Sequence, residues 1–132
     1  MKKILIPLFS LIISFNAYGK WEVVAWANGP DNNKSTYYMD FDNIKINGNV
    51  YFWEIEDKLK PDPFGDLSNK ALFEVDCNVP QRTRMLSVFY YTQPMAEGPI
   101  SDQNNKPHDW KYTTPGSIGE TKANIACIYT NQ

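Results

Sequence analysis

The sequence predicts an α+β domain: an antiparallel β-sheet of five to six strands with one C-terminal helix, tied by a disulfide. Three observations predict it. Period-2 alternation recurs in segments rich in valine, tyrosine, phenylalanine and tryptophan, the mark of strands with one face on a core. Short polar turns separate these segments, so neighbouring strands are expected to run antiparallel. Near the C-terminus, Ser117 and Glu120 have the capping-box spacing that starts a helix, and Cys127 falls in the segment that follows.

Taken in order, Trp21 to Ala27 is a first strand, stopped by the turn signal Asn28-Gly29-Pro30-Asp31-Asn32-Asn33. Ser35 to Asp40 is a short second strand. Phe41 to Ile44 is a connector in which Asp40 and Asp42 can bond nearby backbone amides. Asn47-Gly48 between Ile46 and Val50 is a hairpin signal. The strand from Val50 to Asp57 puts Tyr51, Trp53 and Ile55 on one face and Phe52, Glu54 and Glu56 on the other, with the two glutamates assigned to the wet side. Lys58 to Asn69, with Pro61, Pro63 and Gly65, reads as a loop at the sheet's edge.

The run from Ala71 to Tyr91 is the hub of the fold. Ala71, Phe73, Val75 and Cys77 point to the core, while Glu74, Asp76 and Asn78 point to water. The chain turns back around Pro80 into a strand from Arg84 to Thr92. Gln93 to Pro107 is polar and aperiodic, a loop of about 15 residues, the length at which binding loops or disorder are expected. Trp110 to Tyr112 is a brief extended piece, and a helix runs from about Ser117 to Cys127. Ile118, Ile125 and Tyr129 share one helix face, with Cys127 nearly opposite Ile118. The helix therefore either frays before Cys127 or is buried on two sides.

Residues 1–19 have the layout of a secretory leader: Lys2 and Lys3, an apolar stretch from Ile4 to Phe15, and the small-x-small site Ala17-Tyr18-Gly19. The stretch contains Pro7 and is shorter than the about 20 apolar residues a spanning helix needs. Removing 19 of the 132 residues leaves one domain of 113, residues 20–132. Lys2 and Lys3 account for two of the 13 basic residues, so 11 remain against 15 acidic ones, a net charge of −4. With no basic stripe, nucleic acid and anionic lipid are disfavoured as partners. Two cysteines in an exported chain favour a Cys77–Cys127 disulfide. A redox thiol or a metal site is disfavoured, since there is no C-x-x-C and His108 is the only histidine.

Catalytic patterns are scarce. A Ser-His-acid triad would have to use His108, which lies between Pro107 and Asp109 in a polar segment that cannot hold an imidazole rigidly. Glu54 and Glu56, about 7 Å apart on one strand face, could act on glycans, but alternating acids on a solvated face are the plainer reading. Phosphate-cradling and nucleophile-elbow motifs are absent from the sequence, and Asp31-Asn32-Asn33 and Asp40-Phe41-Asp42-Asn43 lack calcium-loop spacing. No catalytic, cofactor-binding or metal residue is assigned. The aromatics remain: 16 of the 19 lie in the exported part. Most must fill a core, but Tyr37-Tyr38 and Tyr90-Tyr91 place successive rings on opposite faces. Tyr38 and Tyr91, with Arg82 and Arg84 as a polar rim, form the candidate protein-binding surface.

Tyr37-Tyr38-Met39-Asp40, Ile44, Gly48, Trp53, Asp76-Cys77, Arg84, Trp110, Pro115-Gly116-Ser117 and Cys127 follow one another between Trp21 and Tyr129. In that order the chain resembles the surface-adhesin protein E family of Gram-negative bacteria. The resemblance implies an antiparallel sheet, a C-terminal helix held by two cysteines, and no enzymatic activity. The family's founding member is an outer-membrane lipoprotein adhesin that binds host matrix and serum proteins such as vitronectin and laminin. The implied partner is thus a host extracellular matrix or serum protein. The alternative is a soluble periplasmic protein that binds or inhibits another component of the cell envelope. Export to the periplasm, the medium or the cell surface is expected, with a homodimer among the expected assemblies. The leader has no cysteine at its cleavage site, so no lipid anchor is expected.

Overall fold

Alternating strands assemble into one antiparallel sheet in the computed structural model, which describes residues 21–130. The expected leader, residues 1–19, lies outside the described residues. The strands are β1 (Trp21–Asn28), β2 (Lys34–Asp40), β3 (Lys45–Asn47), β4 (Asn49–Lys58), β5 (Ser68–Asp76), β6 (Arg82–Tyr91), β7 (Ile100–Asn104) and β8 (Lys111–Tyr112). Their order is β1-β2-β4-β5-β6-β7, with β3 paired to β4 and β8 to β6.

The sheet therefore has eight strands rather than five to six. The additions are short. β7 crosses the segment expected to be a loop, and all of its residues are exposed. Backbone bonds to β6 hold it there, so it has no buried face and leaves no alternation to read. The Asn47-Gly48 hairpin is present, and Gly48 has φ +71°, a conformation that a β-carbon would strain.

The helix α1 (Ile118–Thr130) lies across one face of the sheet, against β1, β4 and β5. Ser117 Oγ accepts from the Glu120 backbone N–H at 3.1 Å, and the Glu120 carboxylate accepts from the Gly116 N–H at 2.9 Å. That satisfies donors a helix start would leave orphaned. The helix does not fray before Cys127. Its buried face is one arc, Lys122, Ala123, Ala126 and Cys127, while Ile128 and Tyr129 stay exposed. Alanines carry little apolar weight, so the larger Ile118, Ile125 and Tyr129 gave a misleading face. Small side chains let the helix approach the sheet closely.

Met39, Val50, Phe52 and Val75 from the strands and Ala123, Ala126 and Cys127 from α1 form the core. Phe52 stacks on Phe73 with centroids 5.3 Å apart. Burying a side chain such as Phe52 or Met39 contributes about 2–3 kcal/mol. The Cys77–Cys127 disulfide, Cα–Cα 6.0 Å, ties the end of β5 to the helix across 50 residues. Closing a loop of that length stabilises by about 4 kcal/mol on the chain-entropy account. Among the described residues no helix is long and apolar enough to cross a membrane.

Candidate protein-binding surface

Strand alternation gives every helix-facing residue a neighbour that faces away. Register places Tyr37, Met39, Phe52, Glu54, Glu56, Ala71 and Phe73 towards α1, and Tyr38, Tyr51, Trp53, Ile55, Lys70, Leu72 and Glu74 on the face without a helix. The helix-facing side corrects one expectation. Glu54 is not on a wet face: it is 3% exposed and ion-pairs with Lys122 of α1. The Lys122 ammonium also stands 4.8 Å from the ring centroids of Tyr37 and Phe73. Burial pushes the Glu54 carboxyl up, Lys122 pulls it back, and Glu56 adds to the rise. Glu56 accepts from Ser35 Oγ at 2.8 Å, Asn69 Nδ2 at 3.0 Å and Tyr37 Oη at 3.4 Å. The Tyr37 phenol is pushed up to about 12 by burial, then by Glu56 and Glu54. These carboxylates are held in structural bonds.

The helix-free face is built differently. Lys70 Nζ lies between two indoles, 5.4 Å from the Trp21 centroid and 5.6 Å from that of Trp53, and Trp53 stacks with Phe89 at 6.3 Å. Further along, the guanidiniums of Arg82 and Arg84 stand 4.4 and 4.6 Å from the Trp110 ring centroid. Each guanidinium also has a carboxylate: Arg82 Nε bonds Asp76 at 3.1 Å and Arg84 Nε bonds Glu74 at 2.7 Å. Glu74 takes two more bonds, from Asn49 Nδ2 and Tyr51 Oη, both at 2.9 Å. Burial opposes the Glu74 charge, but the bonds from Asn49, Arg84 and Tyr51 prevail and hold its carboxyl below the usual range. The Asn78 backbone amide, then Arg82, hold Asp76 low as well. Tyr51, Trp53, Lys70 and Leu72 border a shallow depression of about 560 Å³.

The family model for surface-adhesin protein E matches residues 21–128. The chain belongs to that family. No curated protein and no solved structure gave a match. Membership accords with the antiparallel sheet, the single C-terminal helix and the disulfide just described, and makes this an adhesin-like protein.

Of the four residues expected at a protein-binding surface, register puts Tyr38 on the helix-free face, and Arg82 and Arg84 there with the carboxylates they bond. Tyr91 is corrected: it is 8% exposed. Nearby, the turn Pro94–Ala96 folds back on the sheet, with Met95 N–H donating to Asp57 Oδ1 and Ala96 N–H to Ser68 Oγ, both at 2.8 Å. A turn reaching across strands leaves no local pattern in the sequence. Trp53, Lys70, Phe89 and Trp110 were missed as a set. The signal available was the period-2 spacing that puts Tyr51 and Trp53 on one face, which did not say which face would stay uncovered.

Proposed function

We propose that this chain is an exported, non-enzymatic binding protein whose helix-free sheet face engages a protein partner, in keeping with adhesion to a host matrix or serum protein. One observation carries the reading. Aromatic rings and cations on that face are already paired with one another and remain half-exposed, with the Arg82 and Arg84 side chains 40% and 31% accessible. Tyrosine, tryptophan and arginine are the residues that dominate protein interfaces. A pre-stacked guanidinium and indole lose little rotamer freedom on binding. Tyr38, Arg82 and Arg84, with Trp110, are the residues assigned to contact.

The test is surface plasmon resonance of the purified, oxidised protein against immobilised vitronectin and laminin. Trp110→Ala and Tyr38→Ala are each expected to weaken binding at least tenfold, the range of a modest interface hot spot. Tyr129→Ala, on the helix and away from this face, should leave binding unchanged. Binding that ignores both face variants while their melting is unaltered would remove the helix-free face from the function. Surface display is tested separately, by protease accessibility of the protein on intact cells, where protection would favour the periplasmic alternative.

A further inference from the structure

A second exposed apolar feature lies at the β4–β5 connection. Phe64 is 89% exposed and Leu59 in the same connection 68%. This is not the exposure of a loose loop. Asp62 Oδ1 accepts from the Phe64 and Asp66 amides at 2.9 and 3.0 Å. The Asp62 N–H donates to the Asp66 carbonyl and the Gly65 N–H to the Asp62 carbonyl, both at 2.9 Å. The base of the connection is clamped by Asn33, which bonds the Lys60 backbone in both directions at 2.9 Å. Pro61 and Pro63 restrict the chain on either side of Asp62, and Gly65 completes the turn at φ +85°. The backbone therefore fixes the point from which an unburied phenyl ring projects into solvent.

The surroundings of the ring are mainly acidic, with Lys58 Nζ pairing Asp62 from outside the depression at 3.6 Å. Phe64 borders a depression of about 530 Å³ whose lining includes Tyr90, Asp62, Asp66 and Asp102 and contains no lysine or arginine. The Tyr90 phenol registers that field: burial pushes it up, then Asp102, Asp66 and Asp62 push it further. An anionic lipid surface would be repelled by these carboxylates. A protein surface offering cations around an apolar contact would be attracted by them.

We infer that Phe64 is a preformed anchor that seats in an apolar socket flanked by lysine or arginine on a protein partner. The bonded turn beneath it lowers the backbone ordering cost of binding, and the ring supplies the apolar contact. Asp66 and Asp102, which have no cation beside them among the described residues, select for a basic rim. The inference goes beyond the helix-free face, since this surface is a separate one at the β4–β5 end of the sheet.

The test uses 15N-labelled full chain titrated with a synthetic amphipathic peptide of leucine and lysine, whose apolar stripe flanked by cations is the simplest such socket. Backbone shifts are expected to concentrate in residues 59–66 and 100–102. Phe64→Ala should weaken binding about tenfold, as loss of a hot-spot anchor does, while Phe64→Trp retains it. Asp102→Asn should weaken it several-fold, and the matching leucine–glutamate peptide should not bind. These exposed variants are expected to melt as the parent does. Unchanged affinity in Phe64→Ala, or shifts gathered instead around Trp110 and Arg84, would overturn the inference. So would Phe64-dependent binding to phosphatidylglycerol vesicles. Failure here leaves the Trp110 and Tyr38 results untouched, so the two surfaces are judged separately.

Discussion

Glu54 and Glu74 stand on opposite faces of the same sheet, each almost fully buried and each beside a cation, yet their carboxyls move in opposite directions. Glu54 has Lys122 alone, with Glu56 two residues along the strand adding repulsion, and burial leaves its carboxyl raised. Glu74 collects bonds from Arg84, Asn49 and Tyr51, and its carboxyl is lowered. What a buried charge costs depends on how many donors replace its lost water. On the helix-covered face Glu54 meets a single ammonium from α1, while the hydroxyl and amide donors there go to Glu56. The helix-free face can bring several polar side chains and still leave guanidinium and indole at the surface. The first arrangement fastens a helix, and the second leaves a face available for binding.

The strongest way to break the covered face is through its covalent tie. Cys77→Ser with Cys127→Ser should lower stability by about 4 kcal/mol, or a melting shift on the order of 15 °C for a domain this size. Calorimetry under oxidising conditions checks it, and an unchanged melting point would show that α1 does not need the bond.

Next is the buried ion pair. Lys122→Met leaves Glu54 without its cation and should cost about 3 kcal/mol near neutral pH. Because the Glu54 carboxyl is raised, its neutral form suits the fold. The variant should therefore recover stability as pH falls through the Glu54 pKa and lose it as pH rises. Glu54→Leu combined with Lys122→Met should return to within about 1 kcal/mol of the parent. Urea titrations of all three proteins measure this, and a double variant no better than the single one would contradict it.

The smallest effect is on the helix-free face. Glu74→Gln should cost about 2 kcal/mol at pH 7, the worth of hydrogen bonds to a charged group. Here the sign is the opposite of that for Glu54. A lowered carboxyl stabilises above its ordinary value of 4.5 and loses that contribution as pH falls through the folded value. The gap between parent and variant should thus close on acidification, and a gap constant from pH 7 to pH 3 would refute the account.

The sequence alone determined what local patterns carry. Alternation in Val50–Asp57 and Ala71–Cys77 separated two faces, Asn47-Gly48 placed a hairpin, Ser117 and Glu120 placed the helix start, and the two cysteines gave the tie. Each of these signals is short in range, so it survives in the linear chain. Tertiary structure alone decided which face the helix would cover. Both faces of β4 mix aromatic and polar residues, so the side bearing Glu54 looked as wet as any. Only when Lys122 arrives from 68 residues away does that glutamate become a buried partner. The same holds for Tyr91, buried near a turn that folds back onto the sheet, and for Trp110 brought onto Arg82 and Arg84. Those contacts join residues with no periodic relation, because packing depends on distance in space rather than position along the chain.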